Sequence, residues 1–261
     1  MLRDIKSLTG FKIHATDGEL GTVDEFYFDD RTWDIRYMVV KTGGWLSGRK
    51  VLISPAALKT PDWKSKSFPV ALTLDQVRNS PDVDTEKTVT RQHELDLHRH
   101  YAWPVYWGDG FYAGSMSGGT LFPPTPEEEK EEPAEAAEPN HLQGTHAVKG
   151  YRVHAADGLI GHVTDFILED GQWIIRYLVA DTGAWLPGRK VLISPGWIES
   201  VDWETAEVFV YLSKEEVKDS PVYDPSGPLS PDYLNNLHDH YGRPVNEAAG
   251  RPGAAARGGK G

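Results

Sequence analysis

The chain has no cysteine in its 261 residues. That excludes disulfides, thiolate nucleophiles and cysteine-ligated zinc. It also has no run of about 18 apolar residues, so no bilayer-spanning helix is expected. The opening stretch MLRDIKSLTGFKI lacks the apolar core of a secretory signal, and a cytoplasmic location is the resulting expectation. Basic residues are in the minority, with 27 Lys and Arg against 39 Asp and Glu and a net charge of −12. Such a chain repels phosphate backbones and anionic headgroups, so neither nucleic acid nor a membrane surface is an expected partner. The acid is unevenly spread: the net charge is −6 over residues 111–145 alone.

What is present is a duplication. Trp33–Pro55 reads WDIRYMVVKTGGWLSGRKVLISP, and Trp173–Pro195 reads WIIRYLVADTGAWLPGRKVLISP. The offset is a constant 140 residues, and Phe11–Pro55 shares 25 of 45 positions with Tyr151–Pro195. A chain of this length with such a repeat is expected to fold as two like domains, whose many Trp and Tyr residues supply large apolar areas.

Each copy reads as short strands. Phe11–His14 is followed by an Asp-Gly turn at Gly18, and at Gly158 in the second copy. Both glycines are expected at positive φ. Thr22–Phe28 and Trp33–Lys41 are the next strands, with Trp33–Lys41 expected to be the longest. Its second face carries Met38 and Val40 in one copy, and Leu178 and Ala180 in the other, so something is expected to cover it. Val51–Ser54 and a hairpin over Leu58–Leu72 follow. Thr73 and Ser213 read as N-caps of short helices stopped by Pro81 and Pro221. Longer helices are expected at Val89–Tyr101 and Pro231–Tyr241. Residues 109–145, rich in Gly, Pro and Glu, read as an extended disordered linker, and 246–261 as a disordered tail. The implied domains are 1–108 and 146–245.

The Gly turns, RYxVVxTGxWLxGRKVLISP and the Ser-Pro-stopped helix resemble the PRC-barrel family over about 7–100 and 147–240. The resemblance implies a mainly β fold of two small antiparallel β-barrels, each with short C-terminal helices, in a bacterial protein. It implies protein contacts and no common catalytic site. The fold also occurs in the H subunit of the photosynthetic reaction centre. That subunit carries a transmembrane helix before the barrel and none is expected in this chain, so its function is not carried over.

Candidate chemistry is sparse. Gly43–Lys50, GGWLSGRK, invites an anion-loop reading through Trp45, Arg49 and Lys50, repeated at Trp185, Arg189 and Lys190, but no Ser or Thr follows the lysine. Arg36 and Arg176 sit mid-strand, where an ion pair with Asp24, Asp30 or Asp34 and their counterparts is expected. His98 and His100, two apart on one helix, cannot chelate one metal together. They and His238 and His240 are expected to be solvated or capping. Asp17, Asp62 and their copies are expected to serve turns. No metal or cofactor and no enzymatic activity is expected. Three functions remain: an interaction scaffold contacting protein through Arg36, Met38, Val40, Trp45, Arg49, Lys50, Arg176, Leu178, Trp185, Arg189 and Lys190; an accessory protein at a photosynthetic or electron-transfer membrane complex; or an anion-binding or small enzymatic protein. The two domains are further expected to pair within the chain.

Overall fold

The structure, a computed structural model, describes residues 1–82, 89–107 and 141–242. The tail at 246–261 and most of the expected linker, 109–140, lie outside the described residues. The chain divides into two compact units. Unit 2 comprises 10–25 and 36–142. Unit 1 comprises 143–261 together with 1–9 and 26–35 from the first repeat.

The first repeat opens with β1 (Leu2–Asp4) and a one-turn helix α1 (Ile5–Leu8), neither foreseen from the sequence. Then come β2 (Lys12–Ala15), β3 (Gly18–Asp29), β4 (Ile35–Thr42), β5 (Lys50–Ile53) and β6 (Ser67–Pro69). The longest strand is β3, at 12 residues, and not the Trp33–Lys41 segment. Trp33 takes φ 62°, which ends the strand register there, and its N–H donates to the Asp29 carbonyl at 2.8 Å. Helices α2 (Leu74–Arg78) and α3 (Arg91–Tyr101) follow.

The second repeat runs through β7 (Leu142–Gly144), α4 (Thr145–Val148), β8 (Arg152–Ala155), β9 (Gly158–Glu169), β10 (Ile174–Asp181) and β11 (Lys190–Ile193). It continues with β12 (Ile198–Asp202), β13 (Glu207–Val210), α5 (Lys214–Asp219) and α6 (Pro231–His240). β7 begins inside the stretch expected to be linker.

The strands form two mixed sheets, ordered β11-β10-β9-β8-β13-β12 and β5-β4-β3-β2-β6. The purely antiparallel expectation is corrected at one place in each: β2 pairs with β6, and β8 with β13, in parallel. Both paths are open among the described residues, and no closed ring of strands is formed.

The capping expectations hold in detail. Thr73 with Gln76, and Ser213 with Glu216, make reciprocal capping boxes. Asp17 Oδ1 accepts from the Leu74 N–H at 2.8 Å, and Asp157 Oδ1 from the Lys214 N–H at 2.7 Å. These two turn aspartates therefore tie a distant helix start rather than their own turn. Asp62 and Asp202 stay local, each accepting two N–H bonds from the residues just after it.

The turn glycines differ from expectation in one copy. Gly158 has φ 137°, but Gly18 is not at positive φ. A Cβ at Gly18 would sit 2.9 Å from Leu74 Cδ1, the movable end of a side chain in α2, so a rotamer shift there would make room for it.

Unit 1 draws on both repeats. β1 pairs antiparallel with β9, Leu2 opposite Glu169. The N-terminal ammonium reaches Asp170 at 2.5 Å and Arg3 Nε reaches it at 2.6 Å. Asp34 and Ile174 form an antiparallel bridge between equivalent positions. The Ile35 N–H donates to the Trp173 carbonyl at 2.7 Å, and the Ile175 N–H to the Trp33 carbonyl at 2.9 Å. Phe28 stacks on Trp33 and packs against Phe166. Trp33 and Trp173, both left-handed (φ 62° and 57°), supply the two accepting carbonyls of this reciprocal exchange.

Candidate interaction surface

The GGWLSGRK loop is tied to its own domain. Leu46, Ser47, Gly48 and Arg49 all donate their N–H groups to carbonyls within the loop. The Trp45 indole donates to the Leu20 carbonyl at 2.8 Å, beneath the Arg78 guanidinium. Arg49 Nη2 donates to the Ser80 and Pro81 carbonyls at 2.8 and 2.6 Å, and its Nε pairs with Asp82 at 3.0 Å. Arg49 thus satisfies the chain where the short helix ends. Arg189 repeats this on the Ser220 carbonyl. Lys50 pairs with Asp24 at 3.0 Å. Thr164 stands at the corresponding second-repeat position, so that ion pair has no counterpart for Lys190. Trp185 lies under the Lys214 ammonium at 4.9 Å. Amides bent inward and arginines already bound to carbonyls do not form an anion cradle.

Arg176 sits on a bulge, where the register shifts between Ile175 and Tyr177. The bulge re-aims its side chain along the sheet. It pairs with Glu169 through Nε at 2.6 Å and reaches Gln172 at 2.7 Å. The expected ion pair is present with a different partner. Arg36 lies over the Tyr106 ring at 4.0 Å. Met38, Val40 and Leu178 are fully buried, and Ala180 nearly so, so these four are core residues and not surface contacts.

Two of the four histidines, His98 and His238, correct the expectation of solvated or capping roles. His98 and His238 are buried, and each Nε2 lies 2.8 Å from the hydroxyl of the matching strand tyrosine, Tyr37 and Tyr177. His100 and His240 bond the Gln76 and Glu216 carbonyls, both at 2.7 Å. Within each helix the two histidines serve different neighbours, as their spacing requires. The sequence holds the signal for this, since Tyr37, His98, Tyr177 and His238 all repeat at the 140-residue offset.

The first repeat adds a buried ionic cluster that the sequence reading missed. Arg91 and Glu94, 3% and 0% exposed, pair at 2.7 Å. Glu94 Oε1 also accepts from the Tyr37 hydroxyl at 3.0 Å and from the Tyr106 hydroxyl. Burial raises the Glu94 carboxyl and outweighs Arg91, which acts in the opposite sense. Burial likewise pushes the His98 imidazole down to about 4. His98 faces Tyr37 and Arg36 on β4, Arg91 and Glu94 on α3, and the rings of Trp103, Tyr106 and Trp107.

A pH test follows. An imidazole depressed below its usual 6.5 favours the folded state fully above that pH, and this contribution is lost as pH falls toward 4. The raised Glu94 acts oppositely, binding its proton more readily when folded. The His98 imidazole is expected to remain neutral at pH 5, read by its ring carbon and nitrogen shifts. A protonated imidazole at pH 5 would contradict the packing described.

One face does present apolar surface to solvent. Across the second repeat's sheet, Leu159 is opposite His154, and His154 is opposite Phe209. His154 stacks on Phe209 at 5.1 Å. Leu159 is 48% exposed, and Tyr211, two residues beyond Phe209, is 53% exposed. Arg152 and Glu207 pair at 2.7 Å beside them. At the corresponding first-repeat positions stand Glu19, Pro69 and Ala71, with Glu19 paired to Lys12 at 2.9 Å.

These features define a small mixed-sheet β domain whose polar groups are largely consumed internally. Residues 3–65 match the family model of the PRC-barrel domain, so the chain carries a PRC-barrel domain there. No curated protein matches the chain. No helix among the described residues is long and apolar enough to cross a membrane.

Proposed function

We propose that the chain is a non-enzymatic interaction protein built of two PRC-barrel domains that pair within the chain, and that it binds a protein partner through the second repeat. The observation carrying this is the exposed row of Leu159 and Tyr211 around His154 and Phe209, in place of the charged and small residues of the first repeat. Large apolar side chains grouped at the surface mark contact sites more often than isolated ones do. The second-domain assignment rests on the internal repeat. The intrachain pairing is supported by the reciprocal Trp33–Ile175 and Trp173–Ile35 hydrogen bonds within unit 1. The non-enzymatic reading is supported by the fate of the candidate groups: Arg49, Arg189, Arg176, His98 and His238 are each bound to neighbours in their own unit.

The test compares wild type with a Leu159→Glu, Tyr211→Glu variant. Both are used to retain complexes from extracts of the native cell, after circular dichroism and melting show the same fold. The reading expects at least one stoichiometric partner to be retained by wild type and lost by the variant. Identical retained sets would overturn it.

A further inference from the structure

The two repeats fill one equivalent place from different sides. In the second, Trp197 packs on Tyr241 at 4.5 Å and on His238 at 5.4 Å. The first repeat has Ala57 at that position. Its ring comes instead from Trp103, which lies beyond α3, stacks on Tyr101 at 4.3 Å and meets His98 at 5.9 Å. The first repeat thus has a slot that its own sheet and loops leave to be filled from elsewhere.

The filler is the segment Trp103–Trp107, reading WPVYW. It has no regular secondary structure and is fixed by side chains. α3 ends at Ala102 in the left-handed conformation (φ 53°), and the Trp103 N–H returns to the His98 carbonyl at 2.9 Å. The Tyr106 hydroxyl donates to Glu94, and its ring lies under Arg36. Trp107 lies under Arg91 at 4.3 Å and meets His98 at 4.9 Å.

Five residues of the strap and its surroundings differ in the second repeat, while Arg36 and His98 are retained as Arg176 and His238. Pro231 replaces Arg91 and Leu234 replaces Glu94. Arg243, Asn246 and Glu247 stand for Trp103, Tyr106 and Trp107. The groups that build the helix onto the sheet, Tyr37, His98, His100 and Tyr101, are retained as Tyr177, His238, His240 and Tyr241. Arg91, Glu94 and the three aromatic rings of the strap are thus absent together from a repeat that keeps the same helix on its sheet.

We propose that this slot is a peptide-docking site, occupied here by the chain's own strap, and that an external extended peptide of the same chemistry exchanges with it. That chemistry is a tryptophan followed by proline, then a tyrosine hydroxyl for Glu94 and a second indole for Arg91. Proline holds such a segment extended and lowers the ordering cost of docking. Paired aromatic rings supply the buried area, and cations over ring faces add specificity. This deepens the interaction-protein reading and rests on it, but at a different surface, so its failure leaves the Leu159 and Tyr211 comparison unaffected.

The test uses full-length protein and a fluorescein-labelled peptide, Ala-Trp-Pro-Val-Tyr-Trp, followed by anisotropy. The variant Trp103→Ala, Tyr106→Ala, Trp107→Ala is expected to bind the peptide at least tenfold more tightly than wild type, whose slot is occupied. Adding Ala57→Trp should abolish that binding by filling the slot from within. A folded strap variant that does not bind, or binding indifferent to Ala57→Trp, would overturn the proposal. If the strap variant does not fold, hydrogen exchange of wild type decides. The amides of 103 and 105–107 should exchange at least tenfold faster than the central amides of α3, and joint exchange in one global event would overturn the proposal.

Discussion

Alanine at Gly161 is expected to destabilise unit 1 by about 3 kcal/mol or more, one of the largest effects of any single methyl group in this protein. A Cβ there would overlap the Asp181 carbonyl oxygen and lie 2.8 Å from its carbon and 2.9 Å from Thr182 Cα. None of these is the movable end of a side chain. β9 and β10 would have to part, and their pairing and the core behind them would part with them. Gly21 meets the same obstacle in unit 2, where a Cβ would overlap the Lys41 carbonyl oxygen and lie 2.8 Å from Thr42 Cα. Gly171 and Gly44 are the controls. Neither is at positive φ, and a Cβ at either meets nothing within 4 Å. Alanine at those two positions is expected to change stability by less than about 0.5 kcal/mol. Urea unfolding of the four variants checks the ranking. An unperturbed Gly161→Ala would mean that the two strands are not as close as described.

Removing Arg91 alone is expected to cost about 3–5 kcal/mol, because it leaves the fully buried Glu94 carboxyl without the guanidinium it pairs with. The Arg91→Pro, Glu94→Leu double substitution is expected to cost much less, although it changes more atoms. It installs what the second repeat already carries at Pro231 and Leu234, and Pro231 occupies the first turn of α6, where proline needs no N–H partner. The measurement is again denaturant unfolding of wild type, single and double variants. A double variant as damaged as the single would show that the cluster holds up the domain itself.

Much of the framework was legible because the chain contains its own comparison. The repeat marks the succession of the main strands, the caps at Thr73 and Ser213, and the paired helices. Four things escaped, each for a physical reason. β1 and β7 are three residues long and are defined by distant partners, β9 and β3, so no local pattern marks them. Each sheet's parallel pair joins strands far apart in sequence, which periodicity cannot report. Met38, Val40 and Leu178 look in sequence like a face awaiting a partner, because alternation shows that a face is apolar and not what already covers it. The spacing of the histidines to one another does not report what fixes His98 and His238, a tyrosine 61 residues earlier in both repeats. The exposed row at Leu159 and Tyr211 was visible only as the place where the second repeat departs from the first.

The central claim is that this row, and not the conspicuous glycine-rich loops, meets the partner. The most direct measurement places a photo-crosslinking amino acid at Tyr211 and, separately, at the equivalent Ala71, in full-length protein in its native cell. The account predicts one discrete adduct from position 211, lost when Leu159 is replaced by Glu, and none from position 71. Equal adducts from both positions, or none from 211, would contradict it.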